Sequence, residues 1–219
     1  MSARPDTDRH DPRHTVRSVS MGTLWRVLRY PFVLLSAVVI PRVMGDTVYG
    51  RFAYFMNVYL ILDILTDVGI TQTFGRFLPE IEARDDRRVS AFLHGMLFYG
   101  LLITLGVIVC VVILLARLAP DSLGFERWGW GVLALLLVVT KVEGTLFAFI
   151  YGRNEIARYS MKELVRSAST LLFVVVLYWF YGLAGAIWAL VFNQLALLAT
   201  ALAWTHGSLL EPFRTPRFA

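Results

Sequence analysis

The segment GWGVLALLLVVTKVEGTLFAFIY, residues 129–151, decides the fold. As a helix it reaches ~35 Å at 1.5 Å per residue, enough to cross a hydrocarbon core of ~30 Å. Lipid supplies no partner for open backbone, so such a run must be helical. In its middle sit two charged residues, Lys141 and Glu143.

The rest of the chain has the same character. Its 219 residues are 57% hydrophobic and 17% charged, with mean hydropathy +0.62. That leaves too little polar surface to coat a water-soluble globule. Apolar runs at 23–43, 49–70, 92–118, 164–181 and 182–204 join 129–151 to predict six membrane-spanning helices in an all-α polytopic protein. Residues 1–20 are polar and mix Arg with Asp; they have no apolar core or small-residue cleavage site and are not a secretory signal. They read as a disordered cytoplasmic tail, 21–207 as a six-helix lobe, and 208–219 as a cytoplasmic tail or inter-lobe linker.

Charge orients the spans. Four Lys or Arg residues lie in the N-terminal tail, four in 71–91 and four after Tyr151 (Arg153, Arg158, Lys162, Arg166). The alternate connections, around Asp46 and Asp121, hold two each, and the turn at Tyr181 and Gly182 holds none. The positive-inside rule then predicts both termini on the cytoplasmic side. Trp25, Tyr49, Trp128, Trp130, Tyr151, Tyr181 and Trp204 lie near span ends, where interfacial aromatics belong.

Several function classes fall away. The single cysteine, Cys110, lies in an apolar run and excludes a disulfide framework or a cysteine metal site. The net charge of +5 flanks the spans rather than forming a stripe, so no nucleic-acid partner is expected. His94 has no second ligand at metal spacing. There is no Walker loop, G-x-S-x-G elbow or H-E-x-x-H motif, so neither an enzyme nor a cofactor is expected.

Ionisable groups inside spans are costly and are functional candidates by default. Lys141 lies about 18 Å into its span, and Glu143 lies about 200° around the helix from it. The second span adds Asp63 and Asp67 on one face with Tyr59, and the sixth adds Asn193 and Gln194. Together they predict a polar belt at similar depth, read either as interhelical glue or as the lining of a hydrated pathway. Lys141 and Asp63 lie at nearly equal depth and are expected to pair, with Glu143 as a further carboxylate. Arg26 and Arg29 share a face before Pro31, either snorkelling to headgroups or forming a phosphate or pyrophosphate site. Gly182, Gly185, Ala186 and Ala189 have the small-residue spacing of a close-packing face.

The stretch PRVMGDTVYGRFAYFMNVYLILDILTDVGITQTFGRFLPE, residues 41–80, resembles the first loop and second helix of the Wzx-type O-antigen and polysaccharide flippases, through Gly45, Tyr49, Gly50, Asp67, Gly69, Arg76 and Glu80. FIYGRNEIARYSMKELVRSASTLLFVVVLYWFYGLAGAIWAL, residues 149–190, is similar to the region of their fourth to sixth helices, including the turn at Gly182 and Gly185. The resemblance spans residues 21–204 and places the chain in the multidrug/oligosaccharidyl-lipid/polysaccharide exporter superfamily. It implies a bacterial cytoplasmic membrane protein that flips undecaprenyl-pyrophosphate-linked oligosaccharide, with two six-helix lobes around an alternating cavity. This chain holds one lobe, so a second lobe or a homodimer is expected beside membrane lipid as partner. The other reading is a non-transporting membrane scaffold or truncated remnant beside polysaccharide-assembly enzymes.

Overall fold

The computed structural model describes residues 12–67, 69–84, 86–118, 127–153 and 155–210. They form α1 (Pro12–Met44), α2 (Asp46–Thr66), α3 (Ile70–Arg84), α4 (Asp86–Leu118), α5 (Arg127–Gly152) and α6 (Ile156–Leu210). Five of these helices are long and apolar enough to cross a membrane; α3 is not. The protein is thus an all-helical, multi-pass membrane protein. Helix α1 already begins at Pro12, inside the stretch expected to be a tail; residues 1–11, 119–126 and 211–219 lie outside the described residues.

The fifth candidate span, Ile156–Thr205, is 50 residues long, or ~75 Å if straight, far beyond one bilayer crossing. It is not straight. Gly182 has φ 59° and ψ −143°, outside the helical region and tolerated by glycine. Beyond it the chain turns back: a methyl group at Gly185 would collide with the carbonyl of Leu177. Asn193 Nδ2 donates to Thr170 Oγ1 at 2.8 Å, a pairing possible only if residues 156–181 and 183–210 run antiparallel. The small residues expected to pack closely do so, with Ala186 and Ala189 fully buried.

Helix α5 is the axis of the bundle. Of its most apolar window 72% is buried, against 11% for α1 and for α4. Two apolar layers assemble on it. Toward the α1–α2 junction, Phe52, Phe55, Tyr59 and Leu62 of α2 meet Val132, Leu133, Leu136 and Leu137 of α5 and Ile187, Leu190 and Val191 of α6. Toward the other end, Leu146 to Ile150 of α5 pack against Phe74 and Leu78 of α3, Leu93 of α4 and Leu197 of α6.

The segment 71–91, which the sequence reads as a basic connection between spans, is largely helix α3 and the start of α4. Ile70, Phe74 and Leu78 recur every fourth residue and form the buried stripe of an amphipathic helix. Its hold on α5 is tight: a Cβ at Gly152 would come within 2.8 Å of the Phe74 carbonyl oxygen. Phe74 meets Phe149 edge-on at 6.1 Å between ring centroids.

Candidate functional site

Between the two apolar layers lies a polar one. On α5 it occupies Thr140 to Thr145, after Leu137 and before Leu146; on α6 it includes Asn193 and Gln194, after Val191 and before Leu197. On α2 it falls at Asp63, beyond Leu62, and just past the helix end at Asp67. A cleft of about 140 Å³ opens here, lined by Asp63, Asp67, Thr140, Lys141, Glu143 and Arg166 among others. It has room for a few waters and lies below the ~300 Å³ at which ligand pockets begin.

Glu143 is fully buried and is held by two cations of α6. Lys162 Nζ approaches its Oε1 at 2.9 Å, and Arg166 Nη2 donates to its Oε2 at 3.0 Å. Lys162 is itself buried, its ammonium 4.4 Å from the centre of the Phe147 ring. Arg166 also reaches Glu163 at 3.4 Å, and Glu163 takes Arg29 of α1 at 3.1 Å. One chain of ion pairs thereby links α5, α6 and α1. By sequence Lys162 and Arg166 read as cations of a cytoplasmic connection, because Lys162 precedes the apolar run 164–181 and Arg166 stands at its very start. A signal was available: Glu143 and Lys162 lie nine residues before Gly152 and nine after Arg153, so an antiparallel α5–α6 hairpin sets them at equal depth.

The expected Lys141–Asp63 pair is replaced by Lys141–Asp67, with Nζ 3.9 Å from Oδ1. Lys141 is buried whereas the Asp67 side chain is 59% exposed. Asp67 ends α2, its φ −84° and ψ 85° turning it out of the helix, and this brings its carboxylate back toward α5. Asp63 lines the same cleft, and among the described residues no ion pair reaches it. The lysine stem passes Gly100 of α4, whose missing side chain leaves room for Lys141 and Ile70 together.

The amides divide between two duties. Asn193 joins the two halves of α6 through Thr170 and the hydroxyl of Ser169. Gln194 Nε2 donates to the Tyr59 hydroxyl at 3.5 Å, and Tyr59 shares a hydrogen bond of 3.0 Å with Thr140 on the cleft wall. So Asp63, Asp67, Lys141 and Glu143 are brought together, Gln194 joins them through Tyr59, and Asn193 faces away into the α6 hairpin. Arg26 is exposed on α1, outside the cleft, and among the described residues Arg29 joins the network through Glu163. Among the described residues no group of three or more His, Cys, Asp or Glu could hold a metal ion.

The fold and the site define a class: a multi-pass helical membrane protein with a charged layer held between two apolar ones. A family model described as "Polysaccharide biosynthesis protein" matches residues 15–217, and the chain belongs to that family. No curated protein and no solved structure matches it.

Proposed function

We propose that the protein is one lobe of an alternating-access transporter that flips an undecaprenyl-pyrophosphate-linked oligosaccharide across the bacterial cytoplasmic membrane. Membership of the polysaccharide biosynthesis family points to this pathway class. The single observation that carries the reading beyond the family is a charged cleft kept at membrane depth inside a helical bundle, where buried ionisable groups mark a path for polar cargo. Counting the two halves of α6 separately gives six spans with both termini cytoplasmic, and the cleft then opens toward the cytoplasm. In this reading the protein makes and breaks no covalent bond.

The candidate residues take different roles. Lys141, Asp63 and Asp67 form the adjustable wall, because their pairing is long and part-exposed. Glu143 with Lys162 and Arg166 forms the fixed wall. Arg26, exposed one turn before Arg29, is free to meet a pyrophosphate with bidentate geometry. The test is export in a flippase-deficient host that supplies the second lobe or second copy. Lys141→Met and Arg26→Lys should each lower export at unchanged membrane level. Undiminished export in both variants would remove the cleft and Arg26 from the pathway and leave a scaffold role as the better account.

A further inference from the structure

The outer face of α2 carries a group that the lobe itself does not satisfy. Leu60, Ile61, Ile64 and Leu65 expose apolar side chains there, as a lipid-facing helix does. Asn57 is exposed in the same face, about 17 Å along α2 from Asp46 and so near mid-membrane. Among the described residues no hydrogen bond reaches its carboxamide. Ser36, the polar residue at similar height on α1, satisfies itself by donating to the Phe32 carbonyl at 2.8 Å. The outer face of α4 is Phe98, Tyr99, Leu102, Leu105 and Val109, with no carboxamide. An amide left unpaired in hydrocarbon is strongly unfavourable, so the Asn57 face is not simply a lipid face.

We propose that this face of α2 is where two copies of the chain meet, each Asn57 hydrogen-bonded to the Asn57 of the other copy. A carboxamide carries both donor and acceptor, so two of them close a reciprocal pair. A two-fold axis is the arrangement that sets a residue opposite itself. Gly50, seven residues earlier, has nothing within 4 Å of where a Cβ would stand, which lets a second helix approach closely. Ile64, seven residues later, is 72% exposed and supplies packing. A polar residue flanked at heptad spacing by a small and a branched one makes the seam of a left-handed helix pair, with the amide setting its register. The inference rests on α2 spanning the bilayer and is independent of what the protein carries.

The full chain, carrying Cys110→Ser and labelled for energy transfer between copies, would be placed in liposomes over a range of protein-to-lipid ratios. Asn57→Leu should weaken self-association roughly 3- to 30-fold, the range of an interhelical polar contact in membranes, while Asn57→Gln should retain most of it. Because leucine suits an exposed membrane face, the loss would not come from failed insertion; total incorporated protein checks this. In parallel, Asn57→Cys and Ile64→Cys should oxidise to disulfide dimers and Leu105→Cys should not. Self-association unchanged by Asn57→Leu, a monomer at every ratio, or dimers cross-linked only through Leu105→Cys overturns the proposal. So does an Asn57→Cys that reacts with a water-soluble, membrane-impermeant maleimide and forms no dimer, since that face would then line water.

Discussion

Lys141 and Glu143 stand two residues apart on one helix and live in different environments. Glu143 is fully buried and has two cations within 3.0 Å. Lys141 has one carboxylate at 3.9 Å, on a side chain that is more than half exposed. The 200° between them sends one toward α6 and the other toward the end of α2. Burial makes the Glu143–Lys162 contact the rigid one, since separating those two charges leaves each in a low dielectric with little solvent to replace its partner. Hydration makes the Lys141–Asp67 contact adjustable, because water takes over as the pair separates. Two charges nearly adjacent in sequence therefore serve as an anchor and as a movable contact.

The sharpest way to break this comparison is at Glu143. Glu143→Gln keeps the shape, takes the counter-charge from buried Lys162 and leaves Arg166 with Glu163. It should lower stability by about 3–5 kcal/mol, the range for removing one partner of a buried ion pair, seen as lost folded yield or a lower melting temperature in detergent. A loss under 1 kcal/mol would mean that water reaches the cluster and that no anchor exists.

At Lys141 the effect should be smaller. A double-mutant cycle with Lys141→Met and Asp67→Asn should give a coupling of about 0.2–1 kcal/mol, and it should shrink with added salt because one partner is exposed. The same cycle with Asp63→Leu should show less coupling than with Asp67→Asn. A coupling larger for Asp63 would restore the pairing expected from span depth and would remove the distinction between the two walls.

The smallest change is expected at the rim. The Arg29 side chain is 41% exposed, and among the described residues its ion pair is with Glu163, which keeps Arg166. Arg29→Ala should cost no more than about 0.5 kcal/mol in the same melting measurement. A loss as large as that of Glu143→Gln would show that the five-residue chain of ion pairs acts as one unit.

Much of the bundle was legible because hydrocarbon allows few solutions. Apolar runs of membrane length must be helices, and α2, α4 and α5 lie where the runs lie. Gly182 was legible as a turn between two runs, and its conformation shows why glycine stands there. Helix α3 was less so, since charge at Arg76, Glu80, Glu82 and Arg84 hid the fourfold spacing of Ile70, Phe74 and Leu78. The candidate site was half legible. A lysine and a glutamate in an apolar run declare themselves by their cost in lipid, which singles out Lys141 and Glu143 from the sequence alone.

By itself the sequence determined that the chain is helical, that it crosses the membrane repeatedly, and that its unusual chemistry sits at Asp63 and Asp67, Lys141 and Glu143, and Asn193 and Gln194. Partner choice was decided by the tertiary structure. Depth along a helix is a one-dimensional quantity, and it placed Asp63 level with Lys141. Contact also depends on helix rotation and on local breaks in the backbone. Leaving the helix at Asp67 brings that carboxylate to Lys141, and the rotation of α6 turns Lys162 and Arg166 inward onto Glu143. Those choices follow from how the two apolar layers pack on α5, and side-chain packing between helices far apart in sequence leaves no periodic mark on any one of them.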